Sequence, residues 1–248
     1  MIFLANTYVK ASILFQEKQN DQVYLIKLKG KFTGKPGQFY MVKLPDSDLY
    51  LPRPLSICDL DKEGITFLYQ RVGKGTSRMA SYKKGDFLEV MGPLGQGFFP
   101  ISADKKIALV GGGIGIAPFL FLAKQWKNSI DLYAGFKGEP YFLEYFKNNV
   151  DKITIATEDG SAGYKGYIID VLEYNEYDLI LCCGPNMMMK NLQKRIGDVP
   201  AQFSLESRMA CGIGACLGCS VKTAKGMKRV CHEGPVFLGQ EVIFDDED

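Results

Sequence analysis

The stretch "KKIALVGGGIGIAPFLFLAKQWK", Lys105 to Lys127, decides how the second half of the chain folds. It begins with "KKIALVGG", a short apolar run of the length of a buried strand. The glycines Gly111, Gly112, Gly113 and Gly115 follow, and then "IAPFLFLAKQWK" shows helical periodicity. Pro118 falls near the start of that helix, where a missing N–H is tolerated. A turn of this kind presents backbone N–H groups and the positive end of a helix to a diphosphate. It can also be no more than a tight strand–helix connection. The apolar part, residues 107–123, holds four glycines and a proline and is slightly short for a membrane span.

Downstream, "IDLYAGF", "KITIAT" and "YDLILCCG" read as further buried strands. Helix-length segments such as "PNMMMKNLQKRIG" lie among them. Strand alternating with helix predicts a doubly wound α/β domain with a parallel sheet over residues 102–205. In "CCGPNMMM", Gly184 and Pro185 end a strand and should open the crevice where open α/β sheets bind ligands. Met187–Met189 reads as core packing.

Upstream, "QVYLIKLKG", "GQFYMVKL", "RPLSICDL", "ITFLYQRV" and "GDFLEVMGPLG" are short strands ended by Gly, Pro or Asp. Their spacing predicts an antiparallel β-barrel over residues 1–101. "GTSRMASY" reads as at least one helical turn between strands. In "RPLSI", Arg53 is suited to a diphosphate and Ser56 to a flavin or phosphate; an ordinary edge strand with a proline is the plainer reading. "GKGT", Gly73 to Thr76, precedes the short helix and suits a phosphate.

The chain has 248 residues, 46% of them hydrophobic, enough for a real core. Thirty basic against 28 acidic residues, with no basic stripe, give no electrostatic case for nucleic acid. "MIFLANTYVK" lacks the basic and long apolar regions of a secretory signal. A cytoplasmic setting is therefore expected, and clustered cysteines there more often bind metal than form disulfides.

"CGIGACLGC", Cys211 to Cys219, packs three cysteines and three glycines into nine residues, and Cys231 follows in "RVCHEG". The spacing C-x4-C-x2-C-x11-C begins as the plant-type 2Fe–2S pattern does. Its last gap is shorter than in plant-type ferredoxins. Side chains at Gly212, Gly214 and Gly218 would obstruct a loop whose N–H groups point inward at a cluster. A four-cysteine structural zinc site is the alternative, although it does not need this glycine density. The lone histidine, His232, reads as a solvated loop residue. Cys58, Cys182 and Cys183 lie in buried strands and read as small hydrophobes. The small C-terminal lobe, residues 206–248, is too short for an apolar core of its own and needs a staple.

Taken together, "RPLS", "GKGT", "GPLGQGF", "GGGIGIAP" and "CGP", in this order, resemble the ferredoxin-reductase superfamily. There an FAD-binding barrel precedes a pyridine-nucleotide domain. The cysteine-rich tail narrows the resemblance to the electron-transfer subunits of NAD-linked dihydroorotate dehydrogenases of class B, over essentially the full length. That resemblance implies FAD contacts at Arg53, Pro54, Leu55 and Ser56, at Gln70, Arg71 and Val72, and at Gly75 and Thr76. It implies cluster ligands at Cys211, Cys216, Cys219 and Cys231. It implies a nicotinamide site at Gly111, Gly112, Gly113 and Gly115 and at Gly184 and Pro185. It also implies a route in pyrimidine biosynthesis. A separate FMN-containing catalytic subunit oxidises dihydroorotate, and electrons pass through 2Fe–2S and FAD to NAD+, in a heterotetramer of two of each chain. Electron-transfer subunits of sulfide dehydrogenases, transhydrogenases and some hydrogenases share the layout. A zinc-stapled nucleotide-binding adaptor is the reading outside the redox class. In "ATEDGSAGYKG", Glu158 and Asp159 should repel a 2′-phosphate and favour NAD(H); on the plain reading they face solvent on a turn.

Overall fold

The computed structural model describes residues 8–45 and 48–244. Its first sheet holds seven antiparallel strands: β1 (Val9–Lys18), β2 (Val23–Lys29), β3 (Phe39–Lys43), β4 (Arg53–Ser56), β5 (Asp59–Leu60), β6 (Gly64–Gln70) and β7 (Phe87–Leu94). The short helix α1 (Lys74–Met79) joins β6 to β7. The strand order is β4-β3-β7-β1-β2-β6-β5. β4 and β5 lie at opposite ends of that order, yet only Ile57 and Cys58 separate them in the chain. Two residues cannot cross a flat seven-stranded sheet, so the sheet must curl toward a barrel. Its interior is filled by Ile26, Leu28, Tyr40, Val42, Ile65, Phe67, Leu88 and Val90. β1 is not among the strands read from sequence. Its apolar alternation, Ala11 and Ile13, is broken by a register shift between Ile13 and Phe15, so the two-residue period fails midway.

The second sheet comprises β8 (Lys106–Gly112), β9 (Ser129–Phe136), β10 (Lys152–Thr157), β11 (Tyr164–Lys165), β12 (Leu179–Cys183), β13 (Ala201–Ser204) and an edge strand introduced below. Its order is β11-β10-β9-β8-β12-β13, all parallel. β8 is central and almost wholly buried, which is why it reads as an unbroken apolar run. The chain leaves β8 toward β9 and returns on the other side as β12. The switch in winding direction therefore falls between β8 and β12, where a crevice opens at the strand ends. Helix α2 (Ala117–Gln125) follows β8 through one 3-10 turn at Gly113–Ile116, and α3 (Asn186–Arg195) follows β12.

The tail forms a hairpin, β14 (Ser220–Thr223) and β15 (Gly226–Arg229), and then β16 (Val236–Leu238). β16 pairs antiparallel with β13 and so completes the second sheet. Cys219, Val230, Cys231 and Phe237 share one apolar cluster with Met41 and Leu94 of the barrel and Phe203 of the sheet. Packing thus crosses the boundary at 205 expected from sequence. Gln202 ties the barrel's end to the sheet: it accepts from the Phe99 N–H and donates to the Phe99 carbonyl, both at 2.8 Å. Among the described residues no helix is long and apolar enough to cross a membrane.

Candidate functional site

A cavity of about 290 Å³ lies where barrel, parallel sheet and tail meet. Arg53, Pro54, Leu55 and Ser56 of β4 line it, with Gln70 of β6 and then Val72 and Thr76. Ile114, Ala117 and Pro118 face them from the glycine turn and α2, with Cys183 at the end of β12. Of the residues singled out in the sequence, Arg53 to Ser56, Gln70, Val72 and Thr76 open on this space; Gly111, Gly112, Gly113, Gly115, Gly184 and Pro185 do not line it, and Ile114 and Cys183 beside them do. Phe39, Leu68 and Tyr69 add apolar surface.

Arg53 Nη1 donates to the Leu51 carbonyl at 2.7 Å. Burial lowers its pKa, and no carboxylate among the described residues acts against that effect. A half-buried guanidinium without an anion suits a diphosphate. Gly75 explains how the guanidinium reaches α1: a Cβ there would stand 2.0 Å from both Nε and Nη2 of Arg53. Only glycine leaves that space open. Thr76 Oγ1 accepts from the N–H groups of Val72 at 3.0 Å and Gly73 at 3.2 Å, closing the turn before α1. Arg71 does not line the cavity; it is exposed, and its backbone N–H donates to Gln22 O at 2.7 Å.

The two glycine turns press against each other. A Cβ on Gly115 would lie 2.2 Å from the Cys183 carbonyl oxygen, and one on Gly112 would lie 2.7 Å from Pro185 Cδ. One on Gly184 would lie 2.9 Å from the Gly112 nitrogen. Gly113 has φ +55 and open space around it, with the Tyr141 hydroxyl 3.7 Å from a built Cβ. This is backbone-on-backbone approach at the switch point, with room left beside Gly113. It fits a nucleotide diphosphate better than a simple turn would require.

The third wall was not legible in the sequence. Ser204, Leu205, Glu206, Ser207 and Met209 line the cavity after β13, and Pro235 lines it just before β16. Neither strand was expected, being four and three residues long. Glu206 is open to the cavity yet ringed by protein, and burial pushes its carboxyl up. Cys183 was read only as a core residue; burial raises its thiol pKa, but its strand end also borders the cavity.

Met209 lies two residues before Cys211, and Pro235 lies four residues after Cys231. The cavity wall therefore runs directly into the cysteine site at both ends. The four thiols stand as two pairs. The Cys216 N–H donates to Cys211 Sγ at 3.4 Å, and the Cys231 N–H donates to Cys219 Sγ at 3.4 Å. The Gly214 N–H donates to Cys231 Sγ at 3.1 Å. Burial works against the Cys211 thiolate, but backbone N–H groups of Cys216, Ile213 and Ala215 overcome it and pull the pKa down to about 6. Cys231 goes the other way, pushed up to about 12 by burial and by the neighbouring Cys219. A second thiolate beside the first is unfavourable until a metal supplies the positive charge. No three Cys, His, Asp or Glu among the described residues converge as ligands of a single ion. Two thiol pairs under inward-pointing N–H groups suit a two-iron cluster better than one zinc. Gly212 has φ +73, and a Cβ there would meet Met41 at 2.6 Å, so the loop needs glycine to sit against the barrel. His232 is exposed and bonds to its neighbours Arg229 and Glu233, in line with its reading as a loop residue.

Glu158 and Asp159 are exposed immediately after β10. The Ser161 N–H donates to Asp159 Oδ1 at 2.9 Å, and hydrogen bonding to Ser161 holds the carboxyl below its usual range.

Comparison with known proteins agrees with this arrangement. A family described as the iron-sulfur cluster binding domain of dihydroorotate dehydrogenase B matches residues 206–243. A protein of Clostridium acetobutylicum named dihydroorotate dehydrogenase B (NAD(+)), electron transfer subunit, is 47% identical over 232 residues, 92% of this chain and 94% of the relative. The protein of that name from Clostridium perfringens is 39% identical, covering 97% of this chain and all of the relative. Among solved structures, the NADH-dependent reduced ferredoxin-NADP oxidoreductase, from work on flavin-based electron bifurcation, superposes with a TM-score of 0.85 at 29% identity, over 94% of this chain and 89% of that one. A ferredoxin NADP+ reductase from Neisseria gonorrhoeae with bound FAD and NADP shares the fold, with a TM-score of 0.61 at 16% identity over 78% of this chain and 92% of that one. Spanning nine-tenths of both chains at close to half identity, the likeness is decisive: the chain belongs to the family of electron-transfer subunits of dihydroorotate dehydrogenase B.

Proposed function

We propose that this chain carries electrons from a dihydroorotate-oxidising partner to NAD+. The observation that carries the reading is continuity. The cavity read as the flavin site borders the glycine turns through Ile114 and Cys183, and its wall continues in the chain to the cysteine pairs through Met209 and Pro235. Bound FAD supplies the exchange between single electrons on the cluster side and hydride on the nicotinamide side. The chain's own residues bind, orient and shield. Arg53 neutralises the FAD diphosphate, and Gly75 leaves room for it. Ser56 offers a hydroxyl at the cavity wall. Phe39, Leu68 and Tyr69 exclude water from the ring. The turn at Gly111–Gly115 would hold the nicotinamide cofactor's diphosphate. Cys211, Cys216, Cys219 and Cys231 would hold the iron–sulfur cluster.

The partner is read as an FMN-containing catalytic subunit, as the family resemblance implies. Cys216 is exposed, and Ile213 and Leu217 beside it are 42% and 62% exposed. That surface suits docking, because electrons must enter close to the cluster. Two copies of each chain are expected, and light scattering of the co-purified complex gives the count. A reducing cytosol suits thiolate ligands.

The test uses the isolated chain. Reconstituted with FAD and cluster, it should oxidise NADH with an artificial acceptor and leave dihydroorotate untouched. Adding the partner should restore dihydroorotate-to-NAD+ turnover. Dihydroorotate oxidation by the partner-free chain would overturn the proposal.

A further inference from the structure

Cys231 stands twelve positions beyond Cys219, across a whole hairpin, so its place against the glycine loop must be held by something. Arg229, the last residue of β15, does so from both ends. Its carbonyl accepts from the N–H groups of His232 at 3.1 Å, Glu233 at 2.9 Å and Gly234 at 3.2 Å, folding the turn that carries Cys231. Its side chain reaches back to the other part of the ligand set, where Nη1 donates to the Gly214 carbonyl at 2.8 Å. Gly214 in turn donates its N–H to Cys231 Sγ. Glu233 fixes the guanidinium: its Oε2 accepts from Nε at 2.9 Å and from the Arg229 backbone N–H at 2.8 Å, and its Oε1 takes Nη2.

An ordinary surface ion pair four residues apart would contribute little. This one differs in two respects. The guanidinium fork is divided between Glu233 and a carbonyl of the ligand loop. Through the Gly214 carbonyl the guanidinium sits one residue contact from Cys231 Sγ, close enough to act on the thiolates of the ligand set.

We propose that Arg229 is a positioning residue for the iron–sulfur site, bracing the Gly214 loop against the Cys231 turn and raising the reduction potential of the cluster by its charge. The inference rests on the cluster reading above and deepens it. Reduction adds negative charge, which a nearby cation stabilises and the Glu233 carboxylate partly offsets. The two side chains must therefore act with opposite sign.

The experiment is a redox titration with dithionite and mediators, followed by EPR of the reduced cluster, on the full chain and on Arg229→Gln and Glu233→Gln. Arg229→Gln should lower the midpoint potential, alter the EPR line shape and speed loss of iron on dilution. Glu233→Gln should raise the potential while keeping the iron. A structural role alone would not give shifts of opposite sign. Should Arg229→Gln lose its cluster outright, Glu233→Gln decides: a raised potential supports the proposal, and an unchanged or lowered one overturns it. Shifts of the same sign, or none, also overturn it. Iron and acid-labile sulfide in the unsubstituted chain are measured first, and their absence would instead refute the cluster reading on which the proposal stands.

Discussion

Arg53 and Gly75 work as a pair, although twenty-two positions separate them. The arginine comes from an edge strand and the glycine from the first turn of α1, and neither explains itself alone. Losing the guanidinium removes a charge-assisted contact, on the order of 1.5–3 kcal/mol, so Arg53→Ala should weaken FAD roughly ten- to hundredfold. The protein should fold and purify depleted in FAD; flavin absorbance relative to protein measures this. Full occupancy would mark Arg53 as a surface arginine. Gly75→Ala should mimic that loss, because its methyl group occupies the space of the guanidinium. Gly73→Ala is the control: a Cβ there meets nothing within 4 Å, so FAD should stay bound. A flavin-replete Gly75→Ala chain would mean that Arg53 moves aside without consequence.

At the scale of elements, what was legible followed burial and backbone demand. β8, its glycine turn and α2 stand out because a strand buried on both faces reads as an apolar run and because close backbone approach requires glycine. β13 and β16 left no such mark. "AQFS" and "VFL" are too short for periodicity, and their pairing joins residues more than thirty apart. With them went the third wall of the cavity, Ser204 to Met209 and Pro235. Arg229 was equally silent, since a basic residue in "KGMKR" looks like solvated charge until Gly214 and Glu233 come into contact with it. The loop after β10 is a case where sequence gave a direction. Glu158 and Asp159 are exposed there, at the C-terminal edge of the sheet. NADH should therefore have the larger kcat/KM. Glu158→Gln with Asp159→Asn should raise the NADPH value severalfold rather than by orders of magnitude, since exposed charges are screened. Steady-state kinetics with both nucleotides test this; a larger NADPH value in the unsubstituted chain would place the ribose elsewhere.

In the whole molecule, the tail belongs to two structures at once. Its far end is a strand of the parallel sheet's edge, with Val236, Phe237 and Leu238 in register with β13. Its near end is the cysteine loop, with Gly212 against Met41 and Leu94 of the barrel. The first part needs no metal. The second has little apolar surface of its own, so its order should depend on the cluster. Cys219→Ser separates the two. Cys219 is 2% exposed and pairs with Cys231, and a serine oxygen is a poorer iron ligand than a thiolate. The substitution should bleach the iron–sulfur absorbance, weaken association with the partner and stop dihydroorotate-to-NAD+ electron flow. β16 should remain in the sheet, and Pro235 with it, so the flavin cavity keeps its walls. NADH oxidation with an artificial acceptor should then largely survive. Iron analysis, co-purification and the two assays are read on one preparation. A Cys219→Ser chain that keeps its iron and its coupled activity would show that Cys219 is not a ligand, and the pairing of the four cysteines would have to be redrawn.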